Sequence, residues 1–216
     1  RLLSRGLGDV YKRQVITFAG EPEAVVKGAV ALIEASIEAL DMRNHQGEHP
    51  RLGVVDVCPF VPLRDISMED CADLARTVVD RLAERNDVPL FLYGAAATSE
   101  SRTVLSHLRR GEYEGLEARL NGSDELHDEA TRLPDAGAMA WSTSVAKSGG
   151  ITVGARPILV AYNVNVEETG ATVAKKIGSI VRSSGRLLKS EGGGKIRSRG
   201  MLNKVQGMGV PVDELG

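Results

Sequence analysis

The chain has 216 residues, 42% of them apolar and 26% charged, with a formal net charge of -2. That length supports one sizeable core, and a balance so near neutrality gives no global attraction for nucleic acid or a membrane surface. Two cysteines (Cys58 and Cys71) and 4% aromatic residues speak against a disulfide scaffold or a stacking platform for single strands, and no apolar run approaches the ~18 residues of a spanning helix.

The opening stretch RLLSRGLGDVYKRQ (1–14) stands apart. With one choice of codons, DVYKRQ back-translates to a transposon-end sequencing adapter, so the segment is expected to be a non-native scar; the other reading is a native basic arm. VITF (15–18) reads as a short strand. EPEAVVKGAVALIEASIEAL (21–40) predicts a helix, with Pro22 in its first turn and Val25, Val26, Ala29, Leu32, Ile33, Ile37 and Leu40 at three- and four-residue steps.

HQGEHP (45–50) follows, and His45, Glu48 and His49 spell the H-x-x-E-H of an inverted zinc-peptidase helix. Gly47 is a poor helix residue and Pro50 pushes His49 out of the α region, so a loop is expected and the metal geometry loses its support. A loop histidine with a pKa near 6.5 suits general acid–base work, and Glu48 and Arg51 flank His49 with opposite charges. An ordinary polar turn fits the same residues.

LGVVDV (52–57) reads as a strand, with CPFVP as a rigid exit between prolines. Ser67 and Asp70 form a capping-box pattern opening a helix through Leu74, Val78 and Leu82 that stops near Asn86. LFLY (90–93) is a short buried strand, 99–120 a weaker polar helical stretch, and 121–150 a long loop without period. In KSGGITVGAR (147–156) the glycines suggest tight turns or close backbone approach to a ligand, ahead of ILVAYNV (158–164), the strongest strand pattern. ATVAKKIGSIVRSSG predicts an amphipathic helix ended at Gly185. SEGGGKIRSRG is no P-loop; the seven cations of 182–204, set against Glu191, read as a solvated loop or as a docking surface for carboxylates or RNA. Alternating strands and helices predict an α+β fold in one domain: a two-layer sandwich, a mixed β-sheet with helices packed on one face.

DMRNHQGEHPRLGVVDVCPFVPL, VPLFLYG, RRGEYEGL, TVGARPILVAYNVN and KVQGMG resemble, in order and approximate spacing, the glutamate formimidoyltransferases and the transferase half of formimidoyltransferase-cyclodeaminase. The resemblance implies transfer of a formimino group between glutamate and tetrahydrofolate in histidine degradation, with His49 of the GEHPR motif as general acid/base, tetrahydrofolate as co-substrate and no metal. It implies folate contacts along Ala140, Trp141, Ser142, Thr143, Ser144, Val145, Ala146, Lys147, Ser148 and Gly149, although Ser, Ala and Lys stand here where relatives often carry proline and aromatics. Arg51 and Arg156 are candidates for the substrate's carboxylates, since the guanidinium fork matches that geometry, or else for internal ion pairs. It also implies that 15–211 is an amino-terminal subdomain lacking its first elements, with the second subdomain absent. Folate and glutamate are the expected partners, in a cytoplasmic protein that binds neither nucleic acid nor membrane and, like many relatives, forms a homo-oligomer. Two further readings are a non-catalytic folate-binding fragment and a zinc hydrolase using His45 and His49.

Overall fold

The computed structural model describes residues 2–6, 14–46, 50–159, 171–181, 187–189 and 195–197. Where the sequence reads as one domain, the chain forms two compact units, Arg1–Leu159 and Val160–Gly216.

In the first unit, β1 (Leu2–Gly6) and β2 (Val15–Phe18) pair antiparallel, Gly6 opposite Val15 and Leu2 opposite Phe18. Strand β1 thus falls in the segment set apart as a scar. Helix α1 (Pro22–Ala39) starts on its proline as expected and buries Val26, Ala29, Val30 and Ile33, while Leu40 is an exposed C-cap. Gly28 lets the Phe18 ring approach, since a Cβ there would meet it at 3.2 Å.

Strand β3 (Val57–Phe60) leads into α2 (Met68–Ala83), whose predicted capping box is closed: the Ser67 hydroxyl accepts from the Asp70 amide at 3.1 Å and the Asp70 carboxylate accepts from the Ser67 amide at 2.9 Å. Cys71, Ala72, Ala75, Val78, Val79 and Leu82 form the buried stripe of α2. Strand β4 (Pro89–Gly94) follows, then the short helices α3 (Leu105–Leu108), α4 (Leu116–Asn121) and α5 (Glu129–Arg132), strand β5 (Ala136–Gly137), helix α6 (Thr143–Ser148) and strand β6 (Ile151–Ala155).

The sheet order is β3-β6-β4-β5, parallel except for β5, so the expected mixed sheet of an α+β fold is present. Alternation along β4 divides the core. Leu90 and Leu92 face α1 and α2, joined by Ile151, Val153 and Ala155; Phe91 and Tyr93 face Leu52, Leu108, Leu116, Leu120 and Val145. The two long helices therefore share one face, and short helices and loops cover the other. Buried Arg119 ties that second layer down by donating to the carbonyls of Leu108 (2.7 Å), Arg132 (2.7 Å) and Thr131, with its guanidinium 4.2 Å from the centre of the Phe91 ring.

Several elements differ from the sequence reading. Residues 52–56 are not a strand: the Asp56 carboxylate accepts from the Leu52 amide at 3.2 Å and from Arg109 Nε at 2.9 Å, folding the segment into a turn. Pairing begins at Val57 instead, and Pro59 is tolerated because β3 is, among the described residues, an edge strand. The glycine-flanked ITVGA is a fully buried inner strand, whereas Ile158 and Leu159 are 67% and 60% exposed and 160–164 lie outside the described residues. Gly154 is needed there, since a Cβ would sit 2.3 Å from the Tyr93 carbonyl oxygen. The loop expected over 121–150 holds α5, β5 and α6, and the helical stretch over 99–120 is broken at Gly111 (φ 74°) and Glu112 (φ 54°).

The second unit contains the predicted helix, α7 (Ala171–Val181), and two strands within the basic tail, β7 (Leu187–Lys189) and β8 (Lys195–Arg197), which pair antiparallel. Gly185, the remainder of the basic tail and KVQGMG lie outside the described residues.

Candidate active site

His49 and Glu48 also lie outside the described residues; the segments on either side of them are described. After α1, Asp41 caps a 3-10 turn by accepting from the Arg43 amide at 3.0 Å, and Met42 is buried beneath it. The Arg43 guanidinium beside Asp41 holds that carboxyl down at about 2. His45 closes the turn by donating its amide to the Met42 carbonyl at 3.1 Å, and its Nδ1 accepts from Arg51 Nε at 3.3 Å. Residues on opposite sides of the GEH triplet are thus bonded to one another.

Arg51, only 11% exposed in its side chain, spends its fork on its own chain. Nη1 lies 3.2 Å from Glu112 and 2.8 Å from Glu114, and Nη2 lies 2.5 Å from Glu114. The Arg51 hydrogen bond holds the Glu114 carboxyl below its usual range against the opposing effect of burial. Of the two roles the sequence left open for Arg51, these contacts form the internal ion pair.

Both carboxylates come from the turn Gly111–Gly115, GEYEG, to which the sequence reading gave no role. Between them, Tyr113 donates its amide to the Arg51 carbonyl at 3.0 Å and its hydroxyl to the Ala146 carbonyl at 2.6 Å. Its ring lies 6.2 Å from that of Trp141, tilted by 50°. Burial and the nearby Asp41 charge push the Tyr113 hydroxyl above its ordinary pKa. Two acidic residues framing a tyrosine between glycines, inside one of the blocks that carries the resemblance, were the signal available in sequence.

The segment Ala140–Gly149 is ordered around α6. Ser142 caps the helix by accepting from the Val145 amide at 3.2 Å, the Ser144 hydroxyl donates to the Asp87 carbonyl at 3.2 Å, and Lys147 donates to the Glu38 carbonyl at 2.8 Å. Val145 and Ser148 are buried, Ala140, Thr143 and Ser144 exposed, and Trp141 half-buried. Gly149 (φ 65°) then passes so near Leu52–Gly53 that a Cβ would lie 2.4 Å from the Leu52 carbonyl oxygen. The Gly150 amide donates to Leu52 at 3.0 Å and the Val54 amide to Ser148 at 2.8 Å. A half-exposed indole backed by a tyrosine, with small and hydroxylic neighbours, offers an apolar face on which a flat ring can stack.

Arg156 is not part of this group. It follows β6, whose five residues span about 16 Å, and so stands at the opposite end of that strand from Gly149. Its amide donates to the Phe60 carbonyl at 3.1 Å and its Nη1 to the Pro157 carbonyl at 3.2 Å. Nearby Tyr93 is buried, and burial raises its hydroxyl to about 12 although the Arg156 guanidinium beside it opposes the rise. Cys58 and Cys71 are free thiols, and burial pushes Cys58 up to about 12, which suits packing and not nucleophilic chemistry.

Residues 1–156 match the family described as the formiminotransferase domain, N-terminal subdomain. The chain is 41% identical over 213 residues to the formimidoyltransferase-cyclodeaminase of Gallus gallus, which covers 99% of this chain and 36% of that protein. It is 37% identical over 177 residues to the glutamate formimidoyltransferase of Streptococcus pyogenes serotype M1, and 39% identical over 175 residues to that of Thermoplasma acidophilum. These alignments cover 81% and 80% of this chain and 55% and 54% of the relatives, so the chain spans about half the length of the single-function transferases it matches.

Proposed function

The chain belongs to the formiminotransferase family, N-terminal subdomain, and from that premise we propose that the full-length protein carrying it transfers a formimino group between formiminoglutamate and tetrahydrofolate. We assign it to histidine degradation in the cytoplasm, with tetrahydrofolate as co-substrate. The observation that carries the reading is local. The residues flanking the GEH triplet are joined through His45 and Arg51, and the adjoining Leu52–Gly53 is bonded along its backbone to Ser148–Gly150, at the end of the segment expected to meet folate.

The chemistry asks for one group that takes a proton and gives it back. A folate nitrogen attacks the formimino carbon, a new C–N bond forms, and the attacking nitrogen sheds its proton to His49. The tetrahedral intermediate then collapses, the bond from carbon to the glutamate nitrogen breaks, and His49 returns the proton to the departing amine. An imidazole titrating near neutrality serves both steps, a contribution of roughly 10²- to 10⁴-fold. This proton transfer needs no metal.

The test is formimino transfer by the full-length protein and by His49→Ala. The expected result is robust transfer by wild type and a loss of about a hundredfold or more in the variant, with folate binding retained. Transfer by His49→Ala at the wild-type rate would remove the histidine from the mechanism. A folded, folate-binding wild type that transfers nothing would leave the fold with another role.

A further inference from the structure

We infer that the Gly111–Gly115 turn is the positioning element of the site, clasping the histidine-bearing loop through Glu114 and Arg51 and the α6 segment through Tyr113 and Ala146. This rests on the proposed transferase reading and extends it to residues that would act on the site through Arg51 and α6. The turn has the three connections such a role requires. Both Glu112 and Glu114 bind the Arg51 guanidinium, which in turn donates to His45. The Tyr113 amide fixes the Arg51 carbonyl, so the main chain leaving the loop is held as well as the side chain. The Tyr113 hydroxyl reaches the Ala146 carbonyl on the far side.

The turn is itself anchored. Gly115 donates to the Gly111 carbonyl at 2.7 Å, and a Cβ on Gly115 would lie 2.8 Å from that oxygen, so the turn is closed too tightly for a side chain. Helix α4 begins immediately after it and buries Leu116, Arg119 and Leu120 against the sheet. Motion at either clasp is therefore resisted by the core. A transfer between two bound molecules needs both held in register with the proton-carrying group, and misplacement by about 1 Å can cost on the order of a hundredfold in rate. Arg51 acts here through the loop and not on a substrate carboxylate.

Glu114→Gln, Glu114→Asp and Tyr113→Phe in the full-length protein separate the two roles. With the turn as positioning element, Glu114→Gln and Tyr113→Phe each lower kcat by about tenfold, with KM for both substrates within about twofold of wild type, and Glu114→Asp recovers most of the rate. Amide exchange quickens in peptides covering 50–53 and 145–150 in both weakened variants. A change confined to KM for formiminoglutamate, with exchange outside 111–115 unaltered, would overturn the inference and give Arg51 to the substrate. Absence of transfer by wild type would instead defeat the transferase reading, and exchange alone would then decide the clasp: faster exchange in both peptides supports it, and exchange altered only within 111–115 overturns it.

Discussion

At the scale of single residues, the sequence was most informative where a motif is local and least where a partner is remote. His49 is named by the residues beside it. Arg51 was recognised as a guanidinium in want of a carboxylate, but its acceptors lie 61 and 63 positions away, a distance no local pattern spans. His127 is similar: it stands in a polar stretch with no partner pattern, yet its side chain is 2% exposed and its Nδ1 lies 2.5 Å from Asp124 Oδ2. Burial, and then the charge of nearby Arg119, lower its pKa from the ordinary 6.5. The sign follows directly. As pH falls, the unfolded chain takes up its proton first, so His127's contribution is complete above about pH 6.5 and is lost as pH drops towards the lowered folded value. The Asp124 carboxyl, also held low, titrates only in stronger acid. The urea midpoint of the wild type should therefore decline as pH falls below about 7, and that of His127→Gln, which keeps a donor for Asp124, should stay flatter. Parallel slopes in the two proteins would show that His127 is not the titrating group.

At the scale of elements, the long periodic helices and the strands VITF and LFLY were legible, whereas β3 and β6 were not. Helices α1 and α2 declare themselves by an apolar rhythm over 18 and 16 residues and by proline and capping-box starts. Helices α3, α5 and α6 have four to six residues each, too few for a period to emerge. Strands β3 and β6 misled for a different reason: β6 was hidden by glycines that read as turn residues, and β3 by a proline that an edge position excuses. Gly154 belongs to β6 because the Tyr93 backbone and ring occupy the space above it, with ring Cδ1 2.6 Å from where a Cβ would stand. Gly154→Ala should cost about 3 kcal/mol by chemical denaturation, through displacement of β4 from β6. A loss under about 0.5 kcal/mol would mean that the two strands yield without cost, contrary to a close-packed sheet.

At the scale of the whole molecule, composition and alternation were enough for an α+β fold with a mixed sheet, and the motifs pointed to a family, which composition could not. The division into two units was not visible, because no linker composition marks residue 160. Within Arg1–Leu159, neighbouring residues of β4 serve the two core clusters, so neither layer should melt without the other. Ile33→Ala on one face and Leu116→Ala on the other should each cost roughly 2–5 kcal/mol and move the same single transition, followed by circular dichroism and tryptophan fluorescence together. Separated transitions would show that the faces unfold independently. The contact between Gly53 and Gly149 carries a consequence for redesign. Because the two backbones meet with no side chain between them, the histidine loop and the α6 segment form a matched pair of surfaces. A graft that brings only one of them from a relative would collide or gape at that seam. Exchange of substrate preference within the family should therefore require both loops to be transplanted together.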